Sequence, residues 1–414
     1  MAIASFPRTI NGPAHQRRIT MALFAAGLAT FGMLFSAQSL LPSLAAAFSA
    51  TSAQAGLAVS LTIGSLAVAV VPLSAVSERW GRTQIMTVSV LSAAVIGLLL
   101  PLSPSLEVFL AGRAAQGLAL AGVPAVAMAY LTEESAPQRL GTAVGMYVAG
   151  TSLGGLGGRL VPGLLVEVSS WRWAAAAGSA AAALCAVWFV RTLPPACGFT
   201  PRPIGFRVVV GDLGVALRQP VLSKLFGMAF VLMGGFVALY NFLGFRLLAA
   251  PFELSPAVAN SVFVLYLAGT ATSVIAGRCA DRFGRAAVLT TAVAAMAAGV
   301  LITLPDRLVT VALGMAVCTA GFFAAHTVAG GWLGSTVGAN PAAATSLYLL
   351  AYYLGGALGG GLIGLAFGRY GWPGVVCCVA GLTVLAAVFS ARLGRTATPL
   401  APVSRRCPVG IKHV

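Results

Sequence analysis

Along the 414 residues, apolar runs of about twenty residues alternate with short clusters of charge, proline and glycine, the pattern of a chain that crosses a bilayer repeatedly. The runs fall at 19–41, 56–76, 84–102, 106–131, 140–166 and 172–190, then at 222–248, 256–277, 286–304, 307–333, 342–367 and 373–392. They predict twelve membrane helices, six on each side of a polar connection. The first run follows Arg17-Arg18 and precedes Ala45-Ala46-Ala47, as a cleavable signal would. Its reach from Ile19 to Leu41 exceeds a signal's apolar core and suits an uncleaved spanning helix.

The stretch 191–221 carries Pro194, Pro195, Pro201, Pro203 and several basic residues, as a linker does. The expected organisation is a tail 1–18, a bundle 19–190, the linker 191–221, a bundle 222–392 and a tail 393–414. Landmarks recur at a nearly constant offset: Gln38 and Asn241 lie 203 positions apart, Glu78 and Asp281 also 203, and Trp171 and Trp372 201. Three landmarks in register indicate an internal duplication.

Composition fixes the solvent. Hydrophobic residues make up 59% of the chain and charged ones 8%, against about a quarter charged in a soluble domain. The fold class expected is therefore all-α integral membrane. The net charge of +16 does not indicate a nucleic-acid partner, because the arginines are scattered between apolar runs instead of forming one basic face. With the N-terminus inside, the cytoplasmic flanks hold nineteen of the 25 basic residues. The external flanks hold Arg172, Arg246, Arg307 and Arg369, and Arg113 and Arg159 fall within spans. The positive-inside rule thus places both termini in the cytoplasm. The seven cysteines (Cys185, Cys197, Cys279, Cys318, Cys377, Cys378, Cys407) show no metal-ligand spacing and read as packing residues.

Two loops carry the most specific chemistry. Ser74-Ala75-Val76-Ser77-Glu78-Arg79-Trp80-Gly81-Arg82 recurs as Gly277-Arg278-Cys279-Ala280-Asp281-Arg282-Phe283-Gly284-Arg285. Together they resemble the signature loop of the major facilitator superfamily, Gly-x-x-x-Asp-Arg-x-Gly-Arg; the second copy matches fully, while the first has Ser74 for Gly and Glu78 for Asp. Arg113-Ala114-Ala115-Gln116-Gly117 is similar to that family's Arg-x-x-Gln-Gly motif. The run from Gly150 through Gly154-Gly155-Leu156-Gly157-Gly158 resembles the glycine-rich motif of its antiporters, with Gly155 where that motif has Pro. Gln38-Ser39-Leu40-Leu41-Pro42 and Trp171-Arg172-Trp173 resemble the bacterial sugar-efflux and drug:proton antiporter-like branch.

The resemblance covers essentially the whole chain. It implies a monomer in the bacterial inner membrane, with two pseudo-symmetric six-helix bundles around a central cavity that opens alternately to either side. It also implies a cytoplasmic gate formed by Glu78, Arg79, Gly81, Arg82, Gly277, Asp281, Arg282, Gly284 and Arg285, which latches the bundles together in the outward-facing state and releases in the inward-facing one, with Glu133 or Glu134 as partners for the arginines. The other reading of these loops is a topology signal alone.

Within the spans, Arg113 lies about 9 Å along its helix from Glu107, with Gln116 one turn away on the same face. Such an Arg either faces a wet cavity, where the resemblance implies a part in proton transfer, or snorkels to the interface. No Asp or Glu falls in the middle of a span, so His326 is the remaining titratable candidate for proton coupling; a non-titrating interhelical hydrogen bond is the alternative. Arg159, near the external end of its span, reads first as a snorkelling residue. Gln38 and Asn241 either face the cavity or bond between helices, and Tyr147, Tyr240 and Tyr352 offer aromatic surface or packing. Gly150, Gly154, Gly155 and Gly158 permit either static close packing or a rocking interface.

The function expected is secondary active transport, as proton-coupled efflux of a drug-like compound, sugar or metabolite, with no cofactor. The alternatives are an importer and a non-transporting receptor or assembly factor. The chain has no Gly-x-x-x-x-Gly-Lys-Ser/Thr phosphate loop to drive it with ATP, and no clustered acids or histidines for an enzyme site within the spans. The orientation is checked with single cysteines in a cysteine-free background. A membrane-impermeant maleimide should label Arg79→Cys and Arg282→Cys only in inverted vesicles, and Arg307→Cys only in intact cells.

Overall fold

The computed structural model describes residues 12–196, 206–336 and 341–396, and every regular element among them is helical. The first half runs α1 Pro13–Phe35, a 3-10 turn Gln38–Leu40, α2 Leu41–Ala47, α3 Ser52–Trp80, α4 Arg82–Leu99, α5 Leu106–Leu120, α6 Gly122–Glu134, α7 Pro137–Val168 and α8 Trp171–Thr192. The second runs α9 Phe206–Arg218, α10 Pro220–Leu248, α11 Pro256–Asn260, a 3-10 stretch Ser261–Leu265, α12 Tyr266–Phe283, α13 Arg285–Ile302, α14 Leu308–Thr336 and α15 Pro341–Thr396.

Among the described residues ten helical stretches are long and apolar enough to cross a membrane. One of them, Ala343–Arg395, has 53 residues and would be far longer than a bilayer about 30 Å thick. It is two spans that turn back at Gly371, where φ is 61°, a value that favours glycine. The 32-residue α7 adds one more span, its apolar character diluted by eight glycines of its own. Counting the doubled stretch twice and adding α7 gives the twelve expected spans, in two pseudo-symmetric six-helix bundles.

Three boundaries differ from the sequence expectation. The run 19–41 is not one helix: α1 ends at Phe35 and the chain resumes as the 3-10 turn and α2. Pro42 has no N–H for the Gln38 carbonyl, which favours the break. The run 106–131 is likewise divided, at Ala121. Pro124 frees the carbonyl of Leu120 there, and the Ser89 hydroxyl donates to the carbonyl of Ala119. Finally, the linker is not wholly irregular, since α9 lies within it.

The duplication reaches the backbone. Gly81 and Gly284, which separate α3 from α4 and α12 from α13, have φ of 96° and 86° with ψ of 146° and 145°. Both glycines lie in a region that residues with a Cβ avoid, so each gate loop depends on its glycine.

Each bundle is welded by one glycine seam. A Cβ at Gly150 would lie 2.3 Å from the Phe24 carbonyl oxygen, at Gly154 2.5 Å from that of Leu28, and at Gly158 2.2 Å from that of Gly32. The second bundle repeats this: a Cβ at Gly355 would lie 2.1 Å from the Phe230 oxygen, and at Gly359 2.4 Å from that of Gly234. These seams join α1 to α7 and α10 to α15, inside the bundles, so the geometry is that of close packing at Gly150, Gly154 and Gly158. Adjacent positions provide a test. Gly158→Ala should lower the unfolding temperature of the detergent-purified protein through an overpacking cost of about 1–3 kcal/mol. Gly157→Ala, where a Cβ meets nothing within 4 Å, should leave it within a degree or so.

Candidate substrate passage and gate

At the end of the molecule that carries the two charged loops, Arg82 of α4 is buried and clamped by acids. Its Nη2 lies 2.6 Å from Glu78 Oε1 and 2.9 Å from Glu133 Oε1. Nε donates to both Glu133 oxygens at 3.3 and 3.4 Å, and Nη1 donates to the Ser77 hydroxyl. This cluster ties α3, α4 and α6 together. Glu133, one of the two partners expected for the arginines, thus pairs with Arg82 inside a single bundle and does not join the two bundles. Arg79 is exposed.

The second loop is chemically different. Arg285 donates to the Ser335 hydroxyl of α14, a neutral acceptor where the first bundle has a carboxylate. Asp281 and Arg282 are exposed, and the Arg282 guanidinium sits 5.1 Å from the Phe283 ring centroid. A Cβ at Gly277 would meet open space.

Arg113 overturns the expectation of a wet face. It is 0% exposed, and its fork is filled by backbone acceptors: Nε donates to Ala58 O at 3.2 Å, Nη1 to Met33 O at 3.0 Å, and Nη2 to Leu34 O at 2.8 Å. Nη1 also donates to Gln116 Oε1 at 2.5 Å, and Gln116 Nε2 donates to Ala93 O. The Met33 and Leu34 carbonyls are free to accept because α1 ends at Phe35; helix-end carbonyls carry partial negative charge and need donors. Arg113 therefore caps a broken helix. Snorkelling is excluded with the wet face.

Arg159 was the residue sequence reasoning underrated. The expectation of snorkelling fails because the side chain is 2% exposed and points between the bundles. Its Nε donates to Gln38 Oε1 at 2.6 Å and its Nη1 to Gly155 O at 2.6 Å. Gln38 Nε2 then donates to Asn241 Oδ1 at 2.7 Å, completing a polar chain from α7 through the 3-10 turn to α10. Three rings surround the guanidinium: Phe35 at 3.9 Å, Tyr266 at 4.5 Å and Phe263 at 5.5 Å from their centroids. Gln38 and Asn241 thus bond to each other across the bundles. Gly155, unlike the other three glycines, faces this cation, with a virtual Cβ 3.2 Å from Nη1.

More contacts close the molecule at the end remote from the charged loops. Glu167 Oε2 accepts from Ser255 Oγ at 2.9 Å and from Ala257 N at 2.7 Å, and Asn260 Nδ2 donates to Gly163 O at 3.2 Å. In the same half α3 meets α15, with a Cβ at Gly64 3.2 Å from that of Ala357.

Aromatic side chains line the second bundle from Arg159 toward the charged loops. Phe236 and Phe322 stack at 3.8 Å, and Tyr240 bonds Thr319 through its hydroxyl at 2.7 Å. His326 Nδ1 lies 3.0 Å from the Tyr348 hydroxyl, and its ring is 4.7 Å from that of Tyr352. Tyr147 of α7 is buried. Of the expected cavity residues, Gln38, Asn241 and Tyr240 gather near Arg159, and Tyr352 packs on His326 while also lying within electrostatic reach of Arg159.

Twelve spans in two facing bundles with polar groups buried between them have the architecture of a membrane transporter. The family model of the Major Facilitator Superfamily matches residues 19–250, and the chain belongs to that family. It is 38% identical over 384 residues to the MFS-type transporter YybF of Bacillus subtilis (strain 168), covering 92% of this chain and 94% of that protein. It is 37% identical over 378 residues to the inner membrane transport protein YnfM of Escherichia coli (strain K12), covering 91% of each. Among solved structures, a bacterial homologue of the human lysosomal transporter Spinster superposes with a TM-score of 0.73 at 17% identity, covering 94% of this chain and 98% of that one. The nucleoside transporter NupG superposes at 0.74 with 16% identity, covering 91% and 99%.

The capping role of Arg113 predicts a stability effect. Arg113→Gln strands the Leu34 carbonyl at about 1–3 kcal/mol and leaves the Met33 carbonyl to Ser36 alone, so the variant should unfold several degrees below the parent. A thermal scan in detergent reads this directly.

Proposed function

We propose that this chain is a secondary active transporter that moves a small molecule across the bacterial inner membrane by alternating access, with both termini cytoplasmic. The observation that carries the reading is the one-sided closure. Four hydrogen bonds bridge the bundles in the half remote from the charged loops. At the loop end, a Cβ on Gly141, Gly145, Gly330 or Gly334 would meet nothing within 4 Å. With the loops on the cytoplasmic side, this is an inward-facing conformation. The opposite conformation requires those bridges to part and the loop ends to approach, when Asp281 and the exposed arginines come into use as gate residues.

Proton coupling and outward direction extend this reading. His326 is the coupling residue we favour, because it is the titratable imidazole among the aromatic rings of the second bundle, held by a hydrogen bond with the Tyr348 hydroxyl. Arg113 and Gln116 act in coupling only by fixing the break in the first span. A second reading, facilitated transport without protons, is favoured by the placement of the acidic residues: eight of the nine lie at helix ends or in loops and the ninth, Asp212, on the linker helix α9, so none is in the middle of a span.

Two experiments test these proposals. In a cysteine-free background, oxidising Glu167→Cys with Ser255→Cys should stop flux in proteoliposomes, and reduction should restore it; flux that persists through the cross-link is incompatible with alternating access. An imposed pH gradient should drive uptake or release of the transported compound, and His326→Gln should abolish that drive while leaving exchange intact. Indifference to the gradient supports the facilitated reading instead.

A further inference from the structure

Resting on the transporter reading, we infer that Arg159 recognises the charged end of the cargo, and that the cargo is a small organic anion with an apolar or aromatic body. The inference starts from a contrast between two buried arginines. A guanidinium has five N–H donors and no acceptor. Arg113 has acceptors on every nitrogen, all supplied by its own bundle. Arg159 donates to Gln38 and Gly155, with the Tyr266 hydroxyl within reach as a third, neutral acceptor, and no Asp or Glu of the described residues pairs with it. An unneutralised cation within the bilayer is costly, and such residues face a pathway or a partner. A carboxylate or sulfonate accepting two parallel N–H bonds satisfies both the charge and the remaining donors.

The surroundings suit such a ligand. Both spans that meet at Arg159 are discontinuous: the first breaks at Gln38–Leu40, and the span containing α12 begins with the 3-10 stretch Ser261–Leu265. Broken helices near the middle of facing bundles are how transporters of this architecture build substrate sites without exposing backbone to lipid. Asn241 Nδ2, two links along the polar chain, is a donor with no partner, on a side chain only 1% exposed. Ser60 Oγ is also unpartnered, and each atom lies 2.9 Å from the point where a Cβ on Gly360 would sit. Every polar group so far unsatisfied around this centre is a donor or a hydroxyl, and none is a carboxylate.

The remaining wall is aromatic. Tyr266 contacts Phe236, Tyr240 and Phe323 at centroid distances of 5.5, 4.9 and 5.7 Å. Rings of this kind hold a flat apolar body while the cation holds its acid group. The same arrangement repels lipophilic cations, which removes a large class of drug-like compounds from the cargo list. The inference also makes closure depend on binding. Arg159 anchors Gln38, and Gln38 bridges to Asn241 of the other bundle, so an anion that draws on the guanidinium acts on the contact that must open.

The test uses compounds of one shape and three charges: benzoate, benzamide and benzylamine, supported by a panel of aliphatic carboxylates, sulfonates and phosphate esters. Thermal unfolding of the purified full-length protein should rise with benzoate or with another anion of the panel, and not with benzamide or benzylamine. In Arg159→Gln the anion shift should vanish, with apparent affinity reduced at least tenfold, whereas Arg159→Lys should keep part of it. Equal shifts for the three charges, no shift with any anion, or an undiminished shift in Arg159→Gln overturns the inference. Should Arg159→Gln not fold, Arg159→Lys decides through its anion affinity, which must fall. Flux separates the two levels of the argument. Transport of a neutral or cationic compound that survives Arg159→Gln leaves the transporter reading standing and removes the anion site. Anion binding that depends on Arg159 without flux of any compound does the reverse.

Discussion

The hydrocarbon core of a bilayer offers no water, so every buried donor, acceptor and charge must be answered from within the protein. Arg113 shows how far that constraint shapes the fold. A guanidinium there needs several acceptors, and an intact α-helix offers at most the second lone pair of a carbonyl that already serves the backbone four residues on, as Ala58 does. The break after Phe35 releases the Met33 and Leu34 carbonyls, and Arg113 takes them both. Helix break and buried cation therefore stabilise each other. The same break turns Gln38 inward, where it meets Arg159 and Asn241. One satisfied arginine thus creates the geometry that leaves the other unsatisfied.

A second constraint separates rigid from movable parts. Lipid provides little hydrophobic drive for helices to associate, so close van der Waals contact has to supply it. The glycine seams between α1 and α7 and between α10 and α15 bring backbones to distances that no side chain would permit. Contacts between the bundles are of another kind, a small number of polar bridges such as Glu167 with Ser255 and Asn260 with Gly163. Each bridge exchanges readily for water or ligand. Rigid bundles joined by exchangeable bridges have one soft coordinate, the angle between them.

Much of the fold was legible in the sequence because the relevant signals are local. Twelve apolar runs and two loops with Gly81 and Gly284 follow from periodicity and from the turn that only glycine makes easily. Pro42 and Pro124 were equally visible, and they account for the breaks in the first and fourth spans, which a reading of apolar length alone passed over. The site was less legible because it is made of distances. Arg82 meets Glu133 across 51 residues and Arg159 meets Gln38 across 121, and no spacing rule foretells either pairing. Arg159 misled for a further reason: its position near the end of an apolar run favours snorkelling, but α7 extends past it to Val168, which leaves the cation enclosed. The repeat offset was the one long-range signal available. It paired Gln38 with Asn241, and those two side chains are in contact.

Duplication accounts for the frame, and divergence between the halves accounts for the chemistry. The two gate loops share backbone geometry, but one arginine lies between two carboxylates and the other rests on a serine. Such a difference makes the first bundle's loop self-contained and leaves Asp281 and Arg282 of the second exposed. The contrast is greater in the middle of the membrane. Arg113 and Arg159 both belong to the first bundle, whereas the segment of α15 at the corresponding offset, Gly361-Leu362-Ile363-Gly364, carries no charge. Aromatic rings are concentrated instead in the second bundle, on α10, α12 and α14. A ligand held between them meets a cation on one side and an apolar wall on the other. That polarity orients an amphiphilic molecule within a frame whose own symmetry would not.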